Sequence, residues 1–218
     1  MNLHICPPPK AAQEYTTNRL ERDVANRVRS TVLIDLPNIR RGAERYSRAP
    51  LNWERIAQSV RSDTAGSVET TTEAFEMVSN DFHETGQRLS RLERALRPLN
   101  ASVSANPPTK RMDGDRRRDI DPLIHGAMWS AVAMHMTEEL GESVMLVPIQ
   151  HRFILFSGDG EFVDTRDKIL ESYRDKRTGE MRVELELVVY SWERSLSARL
   201  YAAANRIVFL DTMPGIFA

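Results

Sequence analysis

The chain has 218 residues, 41% hydrophobic and 28% charged, which is enough for an ordinary globular core and argues against wholesale disorder. Thirty Lys and Arg stand against 31 Asp and Glu, a formal net charge of -1. That balance excludes a uniformly basic nucleic-acid coat and an acidic tail protein, and it leaves room for a local basic patch.

The elements follow in chain order. Residues 1–10 are proline-rich and read as a flexible lead-in, and their single cysteine, Cys6, excludes an internal disulfide and a Cys-rich zinc site. Residues 11–29 read as a polar helix whose apolar positions Leu20, Val24 and Val28 recur every four residues. That stripe suits packing on the domain or on a second copy of the chain, so a homodimer is expected and residues 1–30 form an N-terminal helical extension. Residues 31–36 (TVLIDL) are the continuous apolar run of a central parallel strand. A loop is expected next, then a helix from about Leu51 with Trp53, Ile56, Ala57 and Val60 on one face. Residues 68–78 read as a strand and residues 87–96 as a helix with Leu89, Leu92 and Leu96 spaced for burial, stopped by Pro98. Residues 102–105 read as a short strand.

Residues 121–140 carry the strongest helix signal, with Pro122 suited to a first turn and Met128, Trp129, Met134 and Met136 expected in the core or at an interface. Residues 153–156 (FILF) read as a buried strand running into Ser157-Gly158-Asp159-Gly160-Glu161. A helix over 163–174, a strand over 183–190, a short helix over 197–204 and a strand over 207–210 complete the pattern, and residues 212–218 are a C-terminal tail. Strand and helix alternate throughout. The fold class is therefore α/β, a three-layer domain over residues 31–211 with a mostly parallel central sheet. No run approaches the ~18 apolar residues of a membrane span and the start lacks a signal pattern, so the expectation is a cytoplasmic protein with no membrane partner.

Open parallel sheets bind ligands beyond the carboxyl ends of their strands. Asp35 stands at the end of the first strand, Asp159 follows FILF, and Asp121 opens the long helix, where the positive end of the dipole tolerates a carboxylate. Carboxylates meeting at a sheet edge repel one another unless a divalent cation neutralises them, and oxygen-only ligation favours Mg²⁺ or Mn²⁺ over zinc. Taken singly, Asp121 reads as a helix cap and Asp159 as a turn former; the joint placement of Asp35 and Asp159 at strand ends points to a site. His83, His125, His135 and His151 show no zinc-binding spacing.

Five segments resemble one family in register. VLIDLPNI, with Asp35 and Asn38 three apart, resembles the opening of the NYN nucleases, the LabA-like branch of the PIN-like superfamily. LNWERI at 51–56, RRRDIDPLI at 116–124, FILFSGDGEF at 153–162 and SLSARLYAAANRIVFLD at 195–211 resemble that family's later motifs in order. The resemblance implies a PIN-like, Rossmann-like domain that hydrolyses phosphodiesters, most often in RNA, with Mg²⁺ or Mn²⁺. By motif, Asp35, Asp121 and Asp159 would bind metal, Asn38 and Ser157 would support them, and Glu161 would take the second acidic position of SGDxD. The sequence departs from the family in three places. The aspartate usual six residues into the long helix is replaced by Ala127, with Asp119, His125 or a shifted Asp115/Asp121 pair as substitutes; Glu161 replaces an aspartate; and residues 141–152 look like an insertion.

Lys110, Arg111, Arg116, Arg117 and Arg118 form a basic cluster upstream of Asp121 that is suited, with Ser157, to RNA phosphates, or else is a solvated loop paired with Asp113, Asp115 and Asp119. Two other readings compete. One is a catalytically impaired RNA-binding or scaffold protein on the same fold, which Ala127 favours. The other is a haloacid-dehalogenase-like phosphatase, whose nucleophile motif needs a second acid where this chain has Pro37.

Overall fold

A computed structural model describes residues 27–78, 82–106, 120–140 and 148–218. Its elements are β1 (Val28–Asp35), α1 (Leu36–Ala43), α2 (Trp53–Asp63), β2 (Glu69–Met77), α3 (Phe82–Leu96), β3 (Ser102–Asn106), α4 (Asp121–Leu140), β4 (Ile149–Phe156), α5 (Glu161–Ser172), β5 (Val183–Ser191), α6 (Ala198–Ala203) and β6 (Arg206–Phe209). The six strands form one sheet in the order β3-β2-β1-β4-β5-β6, and every pairing is parallel. Helices cover both faces, which makes a three-layer Rossmann-like α/β fold.

Each face has its own core. Along β1 the side chains alternate, so Val32 and Ile34 join one cluster while Leu33 joins the other. The first cluster packs α1, α2 and α3 through Leu36, Ile39, Ile56, Val60 and Leu96. The second packs α4, α5 and α6 through Ile124, Met128, Val132, Phe162, Ile169 and Leu200. Ile34, Ile39, Ile56, Ile124 and Ile154 are all 0% exposed, and each such side chain contributes about 1.5–3 kcal/mol. Local chemistry sets two helix starts: the Asn52 side chain accepts from the Arg55 amide and caps α2, and the Ser197 side chain accepts from the Leu200 amide and caps α6.

Four expectations need correction. Residues 36–43 are a helix and not a loop: Asp35 caps it directly, and Pro37, which has no N–H to lose, fits its first turn. Val28 belongs to β1, where it pairs with Gln150, so it is not part of a helical stripe; Leu20 and Val24 lie outside the described residues. Residues 149–152 are the amino half of β4 and not an insertion, a half that alternates buried and part-exposed residues and so hides from a search for apolar runs. The last residues are docked: Ile216 is 5% exposed, Phe217 stacks on Trp192 at 5.9 Å, Phe217 bridges Leu51, and the Ala218 amide donates to the Pro50 carbonyl. In α4, Met128 and Met136 are buried as expected while Met134 is exposed. Among the described residues no helix is long and apolar enough to cross a membrane.

Candidate functional site

The strand order reverses direction between β1 and β4. The chain leaves β1 for the face carrying α1 to α3 and leaves β4 for the face carrying α5 and α6, so a crevice opens between the two carboxyl ends. Asp35 is the last residue of β1, and Ser157 follows the last residue of β4. Asp35 and Ser157 therefore meet at this crevice.

Hydrogen bonds tie these residues into one frame. The Asn38 amide donates to Asp35 Oδ1 at 3.0 Å, as expected for a helix cap. Capping explains only that oxygen. Asp35 Oδ2 accepts from Ser157 Oγ at 3.1 Å, across the seam. The Gly158 amide donates to Asn38 Oδ1 at 3.2 Å, the Asp159 amide donates to Ser157 Oγ at 3.2 Å, and the Glu161 amide donates to Asp159 Oδ1 at 3.0 Å. Gly158 allows the turn to lie against the segment after β5, because a Cβ there would stand 2.0 Å from the Ser195 carbonyl oxygen.

Asp35 is 5% exposed. Burial holds its carboxyl above the ordinary carboxylate value; the Asn38 and Ser157 hydrogen bonds pull it back, the neighbouring charge of Asp159 raises it, and Arg41 lowers it. Two acids thus share a crevice, one of them largely out of water, an arrangement that a cation relieves. The donor set fits Mg²⁺ or Mn²⁺, hard ions that take one or two carboxylates and fill the remaining positions with water and phosphate oxygens.

The other expected residues are placed less tightly. Asp121 opens α4 at the same edge of the sheet and is half-buried. One turn along, His125 hydrogen-bonds Thr165 and lies 5.1 Å from the Phe162 ring, so this face of α4 looks toward the first turns of α5. Glu161 is the exposed first residue of α5. Among the described residues no three Asp, Glu, His or Cys side chains form a group able to hold a metal ion, so Asp35, Asp121 and Asp159 are not gathered into a closed triad. Lys110, Arg111 and Arg116–Arg118 lie outside the described residues, as do Asp113, Asp115 and Asp119.

No protein-family model matches the chain, and no curated protein does. Three chains of solved structures match its fold. One is the crystal structure of a protein of unknown function from Vibrio parahaemolyticus RIMD 2210633, 22% identical, with a TM-score of 0.58, covering 86% of this chain and 95% of that one. At that identity the likeness speaks for the fold alone.

Two clusters of titratable side chains were not legible in the sequence. Beside the crevice, the fully buried Glu76 of β2 binds Arg40 of α1 at 2.7 and 3.1 Å and Arg88 of α3 at 3.2 Å. At the opposite, amino edge of the sheet, His135 Nδ1 lies 3.3 Å from His151 Nδ1, and His151 Nε2 lies 3.1 Å from Thr31 Oγ1. Burial drives both imidazoles down, to about 4 for His135 and about 3 for His151, with Arg29 adding to each shift and His135 adding to that of His151. A strand or helix residue that meets its partner from another element leaves no local pattern.

Proposed function

We propose that the chain is a divalent-cation-dependent nuclease that hydrolyses phosphodiester bonds, in RNA by preference, on a PIN-like domain of the NYN type. The observation that carries this reading is the pairing of a buried, twice hydrogen-bonded Asp35 with Asp159 at the crevice between β1 and β4. Asp35 and Asp159 would hold the cation, with Asp121 and Glu161 at the margin of the site. When bound, Mg²⁺ or Mn²⁺ supplies Lewis acidity, which acidifies water and offsets the charge that builds on phosphate oxygens.

The chain's own groups do the positioning. The Asn38 amide and the Ser157 hydroxyl fix both oxygens of Asp35, so the carboxylate need not reorganise as substrate arrives. Asn38 also receives the Gly158 amide through Oδ1, which locks α1 to the turn after β4 and sets the separation of the two acids. The Glu161 amide holds one oxygen of Asp159 and orients the other. The same frame favours a phosphatase of the haloacid-dehalogenase type less, because the position two after Asp35 is Pro37, which is buried in the first turn of α1 and has no acid to offer.

The second reading is a nucleic-acid-binding protein that does not cleave. It is favoured by the absence of a three-acid group among the described residues and by Ala127 in the long helix. One assay separates the two. Labelled single-stranded RNA is incubated with protein in Mn²⁺, Mg²⁺ or excess EDTA, with Asp159→Asn in parallel. Cleavage that needs metal and is lost in the variant supports the nuclease; RNA bound and left intact in every metal, equally by both proteins, supports the binder.

A further inference from the structure

A groove with a cavity volume of about 540 Å³ opens beside the crevice, between α1, residues 44–52, the first turn of α2, and α3. That is the size of a pocket for a small ligand. Its floor is Leu36, Ile39 and Ala43 of α1, all buried in the first core cluster. Its walls are the half-buried Leu51, Trp53 and Leu92, so an indole and two aliphatic side chains face an open space. Leu36, in the floor, directly follows Asp35 at the end of β1, so the groove and the acid pair lie on the same strand-to-helix junction.

Arginines rim this apolar space. Arg40 and Arg48 line it, with Glu44 opposing them. Arg40 is held by both oxygens of Glu76, and Glu76 also holds Arg88. Glu76 is 0% exposed, whereas the Arg40 and Arg88 side chains are 43% and 39% exposed. An ion pair built only for stability needs one cation on one buried anion. Here one buried carboxylate anchors two guanidinium groups and turns both toward solvent, leaving a fixed positive charge in excess. Each guanidinium has five N–H donors, so Arg40 keeps donors free of Glu76 in a rigid planar fork that matches a phosphate. Because its long side chain is already ordered, little conformational freedom is lost when it binds.

We propose that this groove is a nucleotide subsite: it takes one unpaired base of a single-stranded nucleic acid against Trp53 and the aliphatic walls, while Arg40 and Arg48 hold the adjoining phosphate. The proposal rests on the reading of the crevice as a site that acts on nucleic acid, and it adds where the strand lies, on the α1 side of Asp35. A base offers a flat π-face to an indole whatever its identity, so the subsite selects unpaired strands more than sequence. The arginine rim selects the phosphate.

The test uses the full chain and a fluorescein-labelled single-stranded hexaribonucleotide, in EDTA so that nothing is cut. Ala49→Trp fills the groove from its rim, and Arg40→Gln removes the phosphate fork. Base stacking on an aromatic side chain is worth about five- to 150-fold in affinity, so Ala49→Trp should weaken binding by about tenfold or more. Arg40→Gln should weaken it by a similar factor and lower the slope of log affinity against log salt by about one. Since either variant could misfold, the wild-type chain is also photocrosslinked to a hexamer containing 4-thiouridine, and the adduct should map to the peptide bearing Trp53. Folded variants that bind as wild type, or a crosslink confined to other segments, overturn the proposal. Metal-dependent cleavage with wild-type affinity in both variants removes the subsite and leaves the nuclease standing. Binding lost in the variants, from a wild-type chain that cuts nothing in any metal, does the reverse. A wild-type chain that binds neither RNA nor DNA hexamers removes both.

Discussion

Acidification should unfold this protein from the end of the sheet remote from the crevice. His135 and His151 are 1% and 3% exposed, and their rings are held well below the ordinary imidazole value of 6.5, at about 4 and about 3. A base whose folded value is depressed binds fewer protons in the native state than in the unfolded chain, so stability falls as pH drops through 6.5 and keeps falling until the folded values are reached. Taking the protein from about pH 7 to about pH 5 then costs about 2 kcal/mol for each ring and about 3 to 4 kcal/mol for the pair. Arg29, which lowers both values, and Glu138, which raises that of His135, complete the local charge set. In a chain of this length the loss corresponds to a fall in Tm of about 10 °C. The assay is thermal and urea unfolding followed by circular dichroism across that pH range, for wild type and for His135→Leu with His151→Met, which keeps apolar volume without a titrating ring. The double variant should be nearly flat between these pH values. Equal losses in both proteins would refute the assignment of the acid sensitivity to this pair.

Other substitutions probe the site and its frame. Asp35→Asn should abolish cleavage and raise Tm at neutral pH, since burial and the charge of Asp159 both disfavour the carboxylate and the amide still accepts from the Asn38 amide; a variant less stable than wild type at pH 7 would contradict the electrostatic argument. Gly42→Ala places a Cβ 1.9 Å from Trp192 Cδ1, and that indole cannot retreat because it donates to the Ile39 carbonyl at 2.8 Å and stacks between Tyr46 and Phe217. Overpacking there should cost about 1 to 3 kcal/mol in urea unfolding, and an unchanged midpoint would mean that α1 shifts freely.

How much of this could be read from the residues alone depends on the range of the forces involved. TVLIDL and FILF are buried on both faces near the crevice, so their continuous apolar runs announce two central strands. Asp35, Asn38, Ser157 and Asp159 sit within three residues of those strand ends, so the sequence places them near one another, whereas Asp121, expected with them, is not gathered into a group with the other two acids. α1 is hidden because it is only eight residues long and begins immediately after the strand, with the strand's last residue as its cap and no polar run between them. Glu76 was invisible for another reason. A glutamate in a strand that opens Glu-Thr-Thr-Thr reads as solvent-facing, and only the folded chain brings Arg40 and Arg88 over it. The C-terminal residues mislead in the same way: Met-Pro-Gly-Ile-Phe-Ala has no periodicity, yet its apolar side chains close the first core.

That closure also has a bearing on the order in which the molecule can assemble during synthesis. Leu51, in the wall of the groove, forms a β-bridge with Phe217, and the Asn52 amide is satisfied by the Ile216 carbonyl. One partner in each contact emerges in the first quarter of the chain and the other among its last residues. β1 and β2 can pair early, but the face that carries α1 and α2 keeps part of its core open until Ile216 and Phe217 are free to pack on it. A chain cut before Ile216 would leave an unfinished apolar surface around Trp192, the same surface that holds α1 in place through the Ile39 carbonyl.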